Sequence, residues 1–160
     1  MRCVLIIPSW VPEDIFSART AGAQINYWQP LGTLYVASSL QRAGHEVHFL
    51  DGAFMSHREI LEEVKGLQPG FVGIYATAFG WPRAVETARD VKRMEREVFV
   101  CGGGPYPIAR QEHCLGEGEG FDAVVTGEGE LTVPEMVARL ERGKDLVGVK
   151  GVICREGGRI

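Results

Sequence analysis

Apolar residues fall along this chain in short continuous runs separated by stretches whose apolar positions recur every three or four residues. The runs are Cys3–Ile7, Glu46–Leu50, Phe71–Tyr75, Val98–Cys101, Ala123–Thr126 and Gly151–Cys154. Strict in–out alternation is rare in them, and near-continuous runs predict strands of a parallel sheet covered on both faces. Between them, Pro30 suits the first turn of a helix that ends before Gly44. Ser56 and Glu59 form a capping-box pattern ahead of Ile60, Leu61, Val64 and Leu67. A helix from about Pro82 to Arg96 turns Val85, Ala88 and Val91 inward, and Thr132 with Glu135 suggests another capped start that Gly143 ends. Strands alternating with helices, joined by right-handed crossovers, predict an α/β doubly wound, mostly parallel sheet in a single domain over residues 1–160.

Composition narrows the classes of function. A net charge of −4 leaves no basic footprint for nucleic acid. No apolar run approaches the roughly 20 residues of a membrane span, and Pro8 closes the first one, so a cytoplasmic location is expected. Cys3, Cys101, Cys114 and Cys154 show no C-x-x-C pair and no compact triplet for an iron–sulfur cluster, and are expected as buried thiols.

In such a fold the chemistry belongs to the loops that follow the strands. The segment Ser9–Gln29 after the first strand is long for a compact domain and carries Trp10, Phe16, Arg19, Tyr27 and Trp28. It reads equally as a ligand-facing loop or as an arm packed on another domain or subunit. "YATAFGW" sets Thr77 and Ala78 beyond the third strand, "CGGGPYP" follows the fourth, and "TGEGE" opens the last long helix. Three consecutive glycines at Gly102, Gly103 and Gly104 remove every Cβ where a strand gives way to a loop, so something must come close to the backbone there.

Several ligands fit poorly. A dinucleotide fold wants its glycines in the first strand-to-helix turn, which here reads "IIPSWVPED". No Walker lysine follows the glycines, a phosphotransfer aspartate is absent after the third strand, and the first loop lacks the Ser/Thr-rich phosphate turn of a flavodoxin.

Taken in order, "VLIIPS", "PLGTLYVASSLQRAGHEVHFLD", "QPGFVGIYATA", "VFVCGGGPYP", "FDAVVTGEGELTVPEMVARLERG" and "VKGVICREGGRI" resemble the N-terminal cobalamin-binding domain of cobalamin-dependent radical SAM enzymes. The resemblance implies a flavodoxin-like fold with sheet order 2-1-3-4-5. It also implies that the nucleotide tail of cobalamin, which ends in dimethylbenzimidazole, enters beside the sheet in the slot left by Gly102, Gly103 and Gly104. Pro105 and Tyr106 border that slot. Thr77 and Ala78 would meet the tail near the third strand, and Gly127, Glu128 and Gly129 the nucleotide or corrin amides. The corrin would cross the strand ends near Ser9, Trp10, Leu31 and Gly32.

Better-known cobalamin domains carry D-x-H-x-x-G after the first strand, and its histidine ligates cobalt. This chain has "PSWVPED" there. The resemblance therefore implies base-off binding without a protein imidazole on the metal, and His45, His48, His57 and His113 read as turn, strand and helix-end residues. In the whole enzyme, S-adenosylmethionine and a [4Fe–4S] cluster on C-x-x-x-C-x-x-C would reside in a catalytic domain expected after residue 160. That motif is absent from these residues. A carrier, sensor or interaction domain without catalysis of its own is the alternative, as is a domain of this fold that has lost the vitamin.

Overall fold

A computed structural model describes residues 1–10 and 29–155. Five strands run parallel: β1 (Arg2–Ile7), β2 (Glu46–Asp51), β3 (Phe71–Tyr75), β4 (Phe99–Gly103) and β5 (Ala123–Val125). A sixth, β6 (Val152–Cys154), pairs antiparallel with β5, and the sheet order is β2-β1-β3-β4-β5-β6. The helices between them are α1 (Leu31–Arg42), α2 (His57–Leu67), α3 (Trp81–Met94), the short α4 (Pro105–Arg110) and α5 (His113–Glu117), and α6 (Gly129–Glu141). None of these helices is long and apolar enough to cross a membrane.

The apolar runs are continuous because both faces are covered. On one face Val4, Ile6, Val72, Ile74, Val100 and Val124 pack against Ile60 and Val64 of α2, and Ala84, Ala88 and Val91 of α3. On the other, Leu5, Phe71, Cys101, Ala123 and Val125 meet Leu40 of α1 and Val133, Met136 and Val137 of α6. Each side chain's face follows from its parity along the strand.

The helix ends follow their local chemistry. Ser56 Oγ accepts the Glu59 N–H at 3.3 Å while Glu59 Oε2 accepts the Ser56 N–H at 2.8 Å, the expected capping box. Gly44, after α1, has φ +89°, where a side chain would be strained. Asp122 joins the lower parts of three elements: its carboxylate accepts the Val100 N–H at 2.7 Å and lies 2.6 Å from Lys92 Nζ. Lys92 also donates to the Val98 carbonyl at 2.7 Å.

Three expectations need correction. The last strand is antiparallel because the segment after α6 doubles back along that helix instead of continuing beneath the sheet. Arg139 donates to the Val147 carbonyl at 3.0 Å, Thr132 Oγ1 to that of Lys150 at 3.3 Å, and the Thr126 N–H to that of Gly151 at 2.8 Å. β6 thus begins beside the carboxyl end of β5 and must run the other way. Thr132 is consequently no cap; α6 starts earlier, at Gly129 after the N-cap Glu128. The glycine run is not all loop, since Gly102 and Gly103 are the last two residues of β4 and two short helices follow it. The aromatic segment between Trp10 and Gln29 lies outside the described residues.

Candidate functional site

Among the described residues, two clefts lie at the carboxyl edge of the sheet. The larger, of about 430 Å³, lies on the face covered by α1 and α6. Its floor is set by strand register. Leu5 pairs with Gly73 and Gly73 with Cys101, while Tyr75 pairs with Gly103 one row nearer the edge. Val36 of α1 and Val133 of α6 line its walls. Gln29, Thr33, Tyr75, Glu128 and Glu130 are the polar lining side chains besides the Cys101 thiol; Tyr75 ends β3, and the others come from loop ends or first helical turns at the mouth.

The three consecutive glycines do three different jobs. A Cβ on Gly103 would meet nothing within 4 Å, so this residue keeps the cleft open. A Cβ on Gly102 would point to the opposite face, 3.3 Å from both Phe121 and Val124. Gly104 adopts φ +109°, and a Cβ there would sit 2.9 Å from the Ala76 carbonyl oxygen. Only the middle glycine exposes its missing side chain to the cleft. On α6, Gly129 allows a close approach to α1, since its Cβ would lie 2.9 Å from Val36.

The electrostatics at the mouth come from backbone. Neither α1, with N-cap Pro30, nor α6, with N-cap Glu128, has a side-chain hydrogen bond capping its first turn. Both N-termini border the cleft, so their partial positive charge lies at the mouth; the Leu31 N–H donates to the Gln29 carbonyl at 2.9 Å. Glu128 and Glu130 oppose that charge at α6, whereas the first turn of α1 has no acidic residue.

The second cleft, of about 380 Å³, is lined by Pro8, Ser9, Trp10, Thr77, Phe79 and Arg83 among others. Tyr75 borders both clefts, and burial raises the pKa of its phenol above the ordinary value. Thr77 Oγ1 accepts the Gly80 N–H at 3.0 Å, which leaves the hydroxyl proton for another acceptor.

The expected site residues therefore divide. Leu31, Gly32, Gly102, Gly103, Gly104, Pro105, Gly127, Glu128 and Gly129 gather around the first cleft, and Ser9, Trp10 and Thr77 around the second. Ala78 is exposed and lines neither. Tyr106 lies apart from the clefts, with its ring stacked on Trp81 at 4.8 Å and its hydroxyl 3.4 Å from Glu117. Gly73 and Tyr75 are among the lining residues that sequence reasoning missed, together with Thr33, Val36, Val125, Glu130 and Val133. A glycine inside an apolar strand was the available signal for Gly73.

Neither cleft is lined by a histidine among the described residues. His57 Nε2 lies 3.0 Å from Asp90 on α3, across the sheet from the larger cleft. His48 pairs with Glu46 at 2.8 Å, and His45 lies 3.6 Å from Glu141.

The matched family model carries the description "B12 binding domain" and spans residues 21–137, most of the chain. The chain belongs to the B12-binding domain family. As a B12-binding domain it is 34% identical over 162 residues to an uncharacterized methyltransferase of Pyrococcus horikoshii, a match taking in all of this chain and 34% of that one. It is 32% identical to the hopanoid C-3 methylase of Methylococcus capsulatus over 81% of this chain and 25% of that one. The chain thus spans about a third or less of these curated relatives. Its fold superposes on the cobalamin-dependent S-adenosylmethionine radical enzyme OxsB, solved with aqua-cobalamin and S-adenosylmethionine bound. The TM-score is 0.79 at 17% identity, covering 99% of this chain and 21% of OxsB. A cobalamin-binding protein from Desulfitobacterium hafniense gives a TM-score of 0.62 at 16% identity, with 86% of this chain and 57% of that one covered.

The B12-binding domain keeps its thiols out of this chemistry. No disulfide joins the four cysteines. Burial pushes the Cys3 thiol up to about 11 and the Cys101 thiol, on the cleft floor, higher still. The thiolate is the nucleophile, and a raised pKa leaves little of it at pH 8. Iodoacetamide at pH 8 should therefore leave Cys3 and Cys101 unlabelled in the folded chain and label both in denaturant, as peptide mass mapping would show. Native labelling of Cys101 at the denatured rate would contradict the burial argument.

Proposed function

We propose that this chain holds cobalamin base-off, with no protein histidine on cobalt, as the cofactor-carrying module of a cobalamin-dependent radical SAM enzyme of the methyltransferase type. The observation that carries this reading is the larger cleft: a side-chain-free opening at Gly103, an apolar floor, and two uncapped helix N-termini at its mouth. A flat base on a ribose phosphate matches those features in turn. The base needs a slot without Cβ atoms, and the phosphate needs N–H donors.

Bound cobalamin would supply a cobalt centre for methyl-group chemistry. The chain's own residues bind, orient and screen it. Gly73 and Gly103 admit the base, and Val36 and Val133 enclose it. The N–H groups at the starts of α1 and α6 take the anionic linker. Thr77, with its proton free, donates to an acceptor on the neighbouring edge, and Trp10 covers part of the second cleft. S-adenosylmethionine and the [4Fe–4S] cluster belong, in this reading, to a catalytic domain in cis or in trans. The relatives named as methyltransferase and methylase, each about three or more times longer than the matched region, support that arrangement.

The test is to mix purified chain with hydroxocobalamin, pass it through gel filtration and reduce the retained complex to Co(II). The corrinoid should co-elute, and the paramagnetic resonance spectrum should lack axial nitrogen superhyperfine splitting. Splitting that vanishes in His57→Ala would identify a protein ligand and end the no-histidine claim. Splitting that survives the substitution would mean that the cofactor's own base stays on cobalt.

A further inference from the structure

The depth of the larger cleft differs chemically from its mouth. The mouth offers hydrogen-bonding groups from Gln29, Thr33, Glu128, Glu130 and the two helix starts, and from the Tyr75 phenol one row above the floor. Below them the side chains are Leu5, Phe71, Cys101 and Val125 on the floor, with Val36 and Val133 on the walls. The strand backbone beneath is already engaged: Gly73 and Gly103 are ladder residues, and the Gly103 carbonyl accepts the Ala76 N–H at 2.8 Å. Cys101 has the one polarisable hydrogen on that floor among the described residues. Its sulfur lies 3.6 Å from the Gly102 carbonyl, and burial keeps the thiol protonated. A group inserted there finds shape and dispersion, and nothing to satisfy a hydrogen bond.

We propose that the cleft selects among corrinoids by the polarity of the tail base, taking apolar benzimidazole or phenolic tails and disfavouring purine tails. This rests on the cobalamin reading above and deepens it. A purine brings ring nitrogens and an exocyclic amine that water satisfies outside and nothing satisfies on this floor. A dimethylbenzimidazole turns an apolar edge inward, and a cresol ring carries no ring nitrogen at all. Leaving one or two polar groups unsatisfied weakens binding by about tenfold to a hundredfold. Detachment from cobalt works in the opposite direction. A purine nitrogen is a less basic donor than a benzimidazole nitrogen, so a purine tail leaves the metal more easily. A weaker purine complex therefore cannot be attributed to the cost of detachment.

The experiment compares dissociation constants of the purified chain for cobalamin, a cresolyl cobamide and an adeninyl cobamide, read by quenching of tryptophan fluorescence. Cobalamin and the cresolyl form should bind within a few-fold of each other, and the adeninyl form about tenfold to a hundredfold more weakly. Val125→Thr keeps the volume and β-branching of the residue while placing a hydroxyl on the floor. It should narrow the gap several-fold, mainly by improving the adeninyl complex. Equal or tighter adeninyl binding by the unaltered chain would overturn the selectivity while leaving the cobalamin reading intact. An unchanged ratio in a folded Val125→Thr variant that still binds cobalamin would overturn the placement of the base on this floor. Failure of all three corrinoids to bind would overturn the cobalamin reading itself.

Discussion

Replacing Gly103 by valine should abolish retention of hydroxocobalamin through gel filtration while the circular dichroism and melting temperature of the chain stay close to the parent values. Gly103 ends β4 without a positive φ, and a Cβ there meets no atom within 4 Å. A β-branched residue is at home in such a strand. The added methyls project into the cleft, where a ligand would have to yield by its own volume. Overpacking of that kind weakens binding by roughly a hundredfold or more at its upper range. Gly102→Ala is the matched control, because its methyl goes to the other face against Phe121 and Val124. It should cost some stability and leave retention unchanged. Retention by Gly103→Val equal to the parent would remove this opening from the account of binding.

Phe121→Ala should produce the largest loss of stability, about 3–5 kcal/mol, with a fall in melting temperature to match. The ring is 2% exposed, stacks on Trp81 at 5.4 Å and fills the space that Gly102 leaves under β4. Trp81 in turn stacks on Tyr106, so one ring supports the starts of both α3 and α4. Its removal opens a cavity that the rigid strand Gly102–Gly103 cannot fill, having no side chains to move. Chemical denaturation with two probes would check the figure. A loss below about 1 kcal/mol would mean that the aromatic stack does not hold these helices in place.

Much of this was legible in the sequence, for identifiable reasons. Val4–Ile7, Phe71–Ile74 and Val98–Cys101 are apolar on consecutive residues, a pattern that few structures other than a doubly covered parallel strand explain. Ser56 and Glu59 signalled a helix start through interactions three residues apart, which need no knowledge of the fold. The direction of β6 was not legible because it depends on the path of the chain after α6, fixed by contacts of Arg139 and Thr132 with residues up to eighteen positions away. The glycine run announced a close approach to the backbone, but parity alone assigns Gly103 to the cleft and Gly102 to the opposite core. That parity required the strand to extend to Gly103, two residues beyond its expected end. Tyr106 lay beside the glycines in sequence, yet the turn at Gly104 carries its ring towards Trp81.

The return of the chain along α6 also decides how the sheet meets other sheets. An edge strand presents unpaired N–H and C=O groups on which a second molecule could build. Here the edge beyond β5 is closed by β6, only three residues long, which gives an incoming strand little to pair with. The opposite edge, β2, is longer, but Glu46, ion-paired with Arg2, and His48 place polar side chains along it. Edge-to-edge association is thus disfavoured at one side by brevity and at the other by charge.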